Sequence, residues 1–158
     1  MGENGIAGLL HKVYNVSKPA LPLVAYQELS AFKLYHNDVG LLSAMSRLSS
    51  KTTVDGDAAF TEFKGALAEQ FVFQQLTQNE KLSIHYFTFD NSKHEVDFLV
   101  QTEDDEIIPI EVKSGENLKA KSFKIFCEKY KPTKAIHTSL SDYKEEERMT
   151  NLPLYAIN

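Results

Sequence analysis

From Glu95 to Lys113 the chain reads EVDFLVQTEDDEIIPIEVK, two apolar runs separated by an acidic turn. A turn at Glu103-Asp104-Asp105 sets Val100 opposite Ile108, Phe98 opposite Ile110 and Val96 opposite Val112. All six are apolar, so this register predicts a hairpin with one face in a core. The same register sets Asp97 opposite Glu111 and Glu95 opposite Lys113 on the other face, with Leu99 and Ile107 nearer the turn. Four charged groups are therefore expected at the open end.

Adjacent strands lie about 4.8 Å apart and alternate residues of one strand about 6.6 Å apart, so the two carboxylates can converge with Lys113 one step away. Asp97 opposite Glu111 is a like-charge pair, which destabilises a sheet unless something positive lies between. A divalent cation would remove the conflict, and hard carboxylate oxygens without a nearby His or Cys favour Mg²⁺ or Mn²⁺ over zinc. The plainer alternative is a polar strand face carrying a cross-strand ion pair. Glu69 is the natural third ligand. On a helix it falls within a turn of Gly65, Ala66, Val72, Phe73 and Leu76, where a carboxylate needs a partner. Gly65 costs a helix about 1 kcal/mol relative to Ala, which close approach of backbone would explain.

Outward from the hairpin, Thr61 to Gln78 predicts a helix covered on two sides: Phe63, Leu67 and Phe71 form one stripe, Val72, Phe73 and Leu76 another. Strands are expected at 82–89, 95–101 and 107–113. A second helix begins after Asn117, carries Phe123, Phe126, Cys127 and Tyr130 on one face, and stops before Pro132. Residues 135–138 and 152–157 close the chain as strands. Before residue 60 the apolar runs are short and broken by Pro19 and Pro22, which suits short strands. Asp38 then caps a short helix over 39–47. The polar stretch Ser49 to Asp57 is a loop and the best internal boundary, dividing the chain into 1–50 and 51–158. The fold class is α/β: a mixed sheet flanked by helices, with a small strand-rich N-terminal segment that serves attachment more than chemistry.

A net charge of −5 over 158 residues argues against a protein that coats nucleic acid or anionic membrane by bulk electrostatics. The charge is uneven. Asp90 to Glu111 holds eight acids against one lysine, and Lys119 to Lys134 six lysines against one glutamate. No apolar run approaches the about 18 residues that span a bilayer. The single cysteine, Cys127, lies on an apolar helix face as a core thiol, and the expected compartment is the cytoplasm. The five histidines show no zinc spacing. Tyr35 and Asp38 read as packing and capping residues.

Glu69 on a helix, Asp97 in Glu95-Val96-Asp97-Phe98-Leu99, and Glu111 and Lys113 in Ile110-Glu111-Val112-Lys113 together resemble the PD-(D/E)xK restriction-endonuclease-like superfamily. More narrowly, the chain resembles the uncharacterised domain found C-terminal to predicted AAA+ ATPases of bacteria and archaea. The blocks that carry this are Lys33-Leu34-Tyr35 with Asp38, Gly40 and Leu41, then Gly65 to Glu69, Glu95 to Leu99, Pro109 to Lys113 and Leu152 to Tyr155, spread over about four-fifths of the chain. Val96 stands where the motif's name has Pro, and no Gly-x-x-x-x-Gly-Lys-Ser/Thr loop is present, so the chain cannot itself hydrolyse ATP.

The resemblance implies a restriction-endonuclease-like core over 51–158. It also implies an AAA+ ATPase module as partner in cis, with 1–50 as a winged-helix-like tail or linker from it. Asp97, Glu111 and Glu69 would bind Mg²⁺ or Mn²⁺, and Lys113 would orient or activate the attacking water. The expected function is metal-dependent hydrolysis of phosphodiester bonds, in DNA before RNA. The alternative is a non-catalytic module that regulates the ATPase or binds a partner. A direct Asp97–Lys113 or Glu111–Lys113 ion pair filling the space between the carboxylates would favour that alternative.

Overall fold

The Glu95 to Lys113 stretch forms two antiparallel strands, β4 (His94–Gln101) and β5 (Ile107–Val112), in a computed structural model that describes residues 10–45, 58–115, 120–145 and 149–157. The turn closes as expected, with Asp105 N–H donating to Thr102 O at 3.2 Å and Asp105 in the left-handed region at φ 57°. Val100 faces Ile108 and Phe98 faces Ile110. Beyond Phe98 the ladder ends, so Val96–Val112, Asp97–Glu111 and Glu95–Lys113 are not ladder pairs, contrary to the expected register.

The cause lies on the other edge of β4. It pairs antiparallel with β3 (Ser83–Phe89), where His85 faces Leu99 and Phe87 faces Val96, so Tyr86 stands opposite both Asp97 and Phe98. This β-bulge reverses the side-chain alternation and bends the strand. Val96 consequently joins Leu99 rather than Phe98 and Val100, which corrects the expected six-residue face.

Before β3 come β1 (Leu10–Val16), β2 (Gln27–His36), α1 (Val39–Met45) and α2 (Ala58–Leu76). After β5 come α3 (Lys121–Tyr130), β6 (Ala135–Ser139), the two-residue β7 (Lys144–Glu145) and β8 (Met149–Pro153). The eight strands form one mixed sheet in the order β2-β1-β3-β4-β5-β6-β8-β7. β5 and β6 run parallel, and α3 makes the crossover that a parallel pair requires.

Each face of the sheet has its own core. Val72, Phe73 and Leu76 of α2 pack with Phe98, Val100, Ile110 and Val112. Phe123 and Phe126 of α3 pack with Val96, Leu99, Phe87 and Ala135, with Cys127 half-buried beside them. From Phe98 to Val100 successive residues of β4 thus feed opposite layers, as strand geometry requires. Lys131, in the left-handed region at φ 49°, ends α3 ahead of Pro132 by donating its N–H to Cys127 O.

Three local expectations change. Leu23–Tyr26 is a 3₁₀ turn, not a strand. The last strand comes earlier than 152–157, because Pro153 has no N–H to extend the ladder and Leu154–Ala156 turns into a 3₁₀ helix. A Cβ at Gly65 would meet nothing within 4 Å, so close backbone approach does not explain that glycine. The expected 49–57 loop and the boundary at residue 50 lie outside the described residues. Strand β1, from the segment before that boundary, lies inside the sheet between β2 and β3, with Val13 and Val16 buried.

Candidate active site

Where β4 and β5 part, the Asp97 carboxylate takes over from the backbone. Its Oδ2 accepts the Val112 N–H at 2.8 Å. Glu111, one residue earlier on β5, is 4% exposed although its neighbours in sequence are apolar. It is buried because β5 lies between β4 and β6, where its cross-strand neighbour is His137. Lys113 follows the end of β5, anchored by its N–H to Thr138 O at 2.8 Å. Its Nζ reaches Glu111 Oε1 at 2.6 Å. Glu111 Oε2 is buried and has no hydrogen-bond partner among the described residues.

Glu69 comes from α2. Its Oε2 accepts from Tyr35 Oη at 3.1 Å and from Lys33 Nζ at 3.4 Å. Tyr35 is itself held by stacking on Phe73 with ring centroids 4.6 Å apart. Lys33 Nζ also contacts Glu95 Oε1 at 2.6 Å and lies over the Tyr86 ring. Glu95 therefore pairs with Lys33, not with Lys113 as the simple register implied. The N-terminal segment, expected to stand apart from the acidic residues, reaches them through β2, whose alternation turns Lys33 and Tyr35 to the α2 side. Sequence reading placed Lys33 in a matching block without a role and took Tyr35 as a packing residue. Nothing local to 33–35 shows that β2 will lie under α2.

Asp97 is pushed up to about 8 by burial first, then by the charges of Glu111 and Glu69, against the pull of the Val112 N–H and Lys33. Burial also raises Glu111, and the adjacent Lys113 opposes it. Burial lowers Lys113, but the charges of Glu111, Asp97 and Glu69 outweigh it and hold the ammonium more tightly. The same balance raises Lys33, between Glu69 and Glu95. Tyr35 is raised by burial and by Glu69, and stays a phenol that donates. The four expected residues Glu69, Asp97, Glu111 and Lys113 thus act on one another electrostatically, with Lys33, Tyr35 and Glu95 added.

The donor chemistry suits a hard divalent cation: carboxylate oxygens, crowded enough to retain a proton, and one buried oxygen without a partner. As the side chains stand, no three His, Cys, Asp or Glu groups among the described residues come close enough to hold a metal ion. Lys113 supplies the positive charge at Glu111 instead. A cleft of about 280 Å³ is lined by Pro19, Asp105, Glu106, Ile107, Tyr130 and Lys134, among others. It lies at the turn end of the β4–β5 pair, and none of Glu69, Asp97, Glu111 and Lys113 lines it. No helix among the described residues is long and apolar enough to cross a membrane.

The family model described as Domain of unknown function (DUF4143) matches residues 64–157. The match runs from within α2 to the final 3₁₀ turn, taking in Glu69, Asp97, Glu111 and Lys113 and leaving β1 and β2 outside. No curated protein and no solved structure matches the chain.

Proposed function

The chain belongs to the DUF4143 family, a domain of unknown function, and from that premise we propose, on the chemistry of its site, a metal-dependent nuclease. The reading is a restriction-endonuclease-like core that hydrolyses phosphodiester bonds, DNA before RNA, beside an AAA+ ATPase module in the cytoplasm. The observation that carries it is the crowding of Asp97 and Glu111, with Glu111 Oε2 buried and unpartnered and Lys113 at its side. Asp97, Glu111 and Glu69 would hold Mg²⁺ or Mn²⁺. A cation bound there polarises a phosphate and lowers the pKa of water. The protein's own part is to gather oxygens of one charge type and to keep one ammonium within reach of them. Lys113 stabilises negative charge that develops on the phosphate. Lys33 holds Glu69 and Glu95 in place from behind.

A second reading, a non-catalytic module that regulates the ATPase or binds a partner, is favoured by the direct Lys113–Glu111 contact at 2.6 Å. Nicking of supercoiled plasmid with Mg²⁺ or Mn²⁺, with and without the ATPase partner, separates the two. A nuclease should lose cleavage by a factor of about 10²–10³ in Lys113→Ala while keeping Mn²⁺ binding, the usual cost of one charge-stabilising group. Asp97→Ala should lose both. No cleavage by the wild-type protein with its partner, or equal traces in all three proteins, would leave the regulatory module as the better reading.

A further inference from the structure

Most of the described lysines are engaged. Lys33, Lys81, Lys113, Lys129 and Lys134 meet carboxylates, and Lys12 and Lys18 lie over aromatic rings. Lys93, Lys121, Lys124 and Lys131 are exposed and meet neither an acid nor a ring among the described residues. At about 100° per residue Glu128 falls on the same face of α3 as Lys124 and Lys131 and separates them. Lys93, Lys121 and Lys124 remain as one group without an acid inside it.

Folding gives no reason for this placement. Lys121 and Lys124 fall within the first four residues of α3, where a cation opposes the helix dipole, and neither an acid in that turn nor a side-chain cap offsets them. Three positions apart on a helix, they are surface neighbours. Lys93 joins them through its own neighbour: His94 Nδ1 lies 3.1 Å from Ser122 Oγ, which ties the start of β4 to the start of α3. That junction is at the site end of the sheet. Glu95 and Asp97 follow His94 on β4, and β5 runs antiparallel to β4 to finish at Val112, next to Lys113. Glu111 faces the α3 side too, since its charge reaches Cys127 on that helix. The acids flanking Lys93 in sequence, Asp90 and Glu95, are taken up by Lys129 and Lys33.

We propose that Lys93, Lys121 and Lys124 form a landing surface for the phosphodiester backbone of a nucleic-acid duplex, holding phosphates beside the one presented to Glu111 and Lys113. The inference deepens the nuclease reading and rests on it for the fate of the strand, whereas the binding itself needs no cation. Phosphate contacts position a duplex without reading its bases, so the surface is indifferent to sequence. A net charge of −5 over the whole chain repels a polyanion elsewhere, which confines the contact to this rim and makes it steeply dependent on salt.

The test is fluorescence anisotropy of a labelled DNA duplex with the full chain, in EDTA so that nothing is cut, over a series of salt concentrations. The Lys93→Gln/Lys121→Gln/Lys124→Gln variant should lower the slope of log affinity against log salt by about 2–3, at about 0.9 per lost contact, and bind on the order of 10²-fold more weakly at about 0.1 M salt. The control Lys18→Gln/Lys81→Gln/Lys134→Gln removes the same charge from the turn end of the sheet and should change the slope by less than about 1. No binding by wild type, an equal drop in both variants or a drop in neither would overturn the proposal. Poly-L-glutamate displacing the duplex as readily as unlabelled duplex at matched charge would point to an acidic protein partner and overturn it too. The nuclease reading fails separately. A wild type that binds with these slopes but never nicks plasmid in Mg²⁺ or Mn²⁺ keeps the surface and loses the enzyme; nicking by a protein whose first variant keeps the wild-type slope keeps the enzyme and loses the surface.

Discussion

The Val112 N–H donates to Asp97 Oδ2 at 2.8 Å, a side-chain bond standing where the β4–β5 ladder has lapsed. One oxygen of Asp97 is thereby tied to β5, beside Glu111 and Lys113. The carboxylate is both the clamp that holds two parting strands together and a member of the acidic group between them.

That double role makes stability depend on pH. Asp97 has its folded pKa raised to about 8 from an ordinary 3.8. Between these values the unfolded chain binds fewer protons than the folded one, so this group's contribution, present below about pH 4, is lost as pH rises towards about 8. Asp97→Asn keeps an acceptor for Val112 and cannot ionise. In EDTA its melting temperature relative to wild type should climb across that window, by at least about 2–4 °C, the equivalent of about 1 kcal/mol. A difference that stays flat with pH would contradict the assignment.

Tyr35→Phe removes the hydroxyl that bonds Glu69 Oε2 and keeps the stack on Phe73. A hydrogen bond to a charged group contributes about 1.5–3 kcal/mol, so urea denaturation should show a loss near the lower figure for this half-exposed acceptor. Tyr35→Ala should lose about 3–5 kcal/mol through the emptied core position. Equal losses in the two variants would mean that the hydroxyl contributes nothing.

Deleting residues 10–36 takes away β1 and β2, and with them Lys33 and Tyr35. It strips a strand from the edge of β3 and uncovers the layer that Val13 and Tyr35 share with Phe73 and Phe98. The shortened chain should show no cooperative thermal transition by circular dichroism. A sharp transition near that of the full chain would mean that the hairpin is dispensable.

Cys127, half-buried on α3, is raised to about 11, by burial first and then by Glu111 and Glu128. Its thiolate fraction at neutral pH is then about 10²-fold below that of an ordinary thiol. Iodoacetamide should alkylate the native protein slower than the urea-unfolded chain by a comparable factor. Equal rates would show a thiol open to solvent.

Much of the architecture was legible in residues 58–157, since hydrophobic period is a local property. The long helix, the β4–β5 turn, the second helix ending ahead of Pro132 and the strand after it all follow from spacing along a few turns of chain. Asp97, Glu111 and Lys113 could be singled out as charges on otherwise apolar strands. The bulge opposite Tyr86 was not legible, because two residues facing one is a matter of how β3 lies beside β4, and a single inserted step moves Val96 to the other core. Nor could the sequence show that Lys33 would reach Glu69 and Glu95, or that His137 would end beside Glu111. Those neighbours are separated by 36, 62 and 26 positions in the chain. Strand order is decided by which faces bury together, and only the assembled sheet brings such distant charges within a few ångströms.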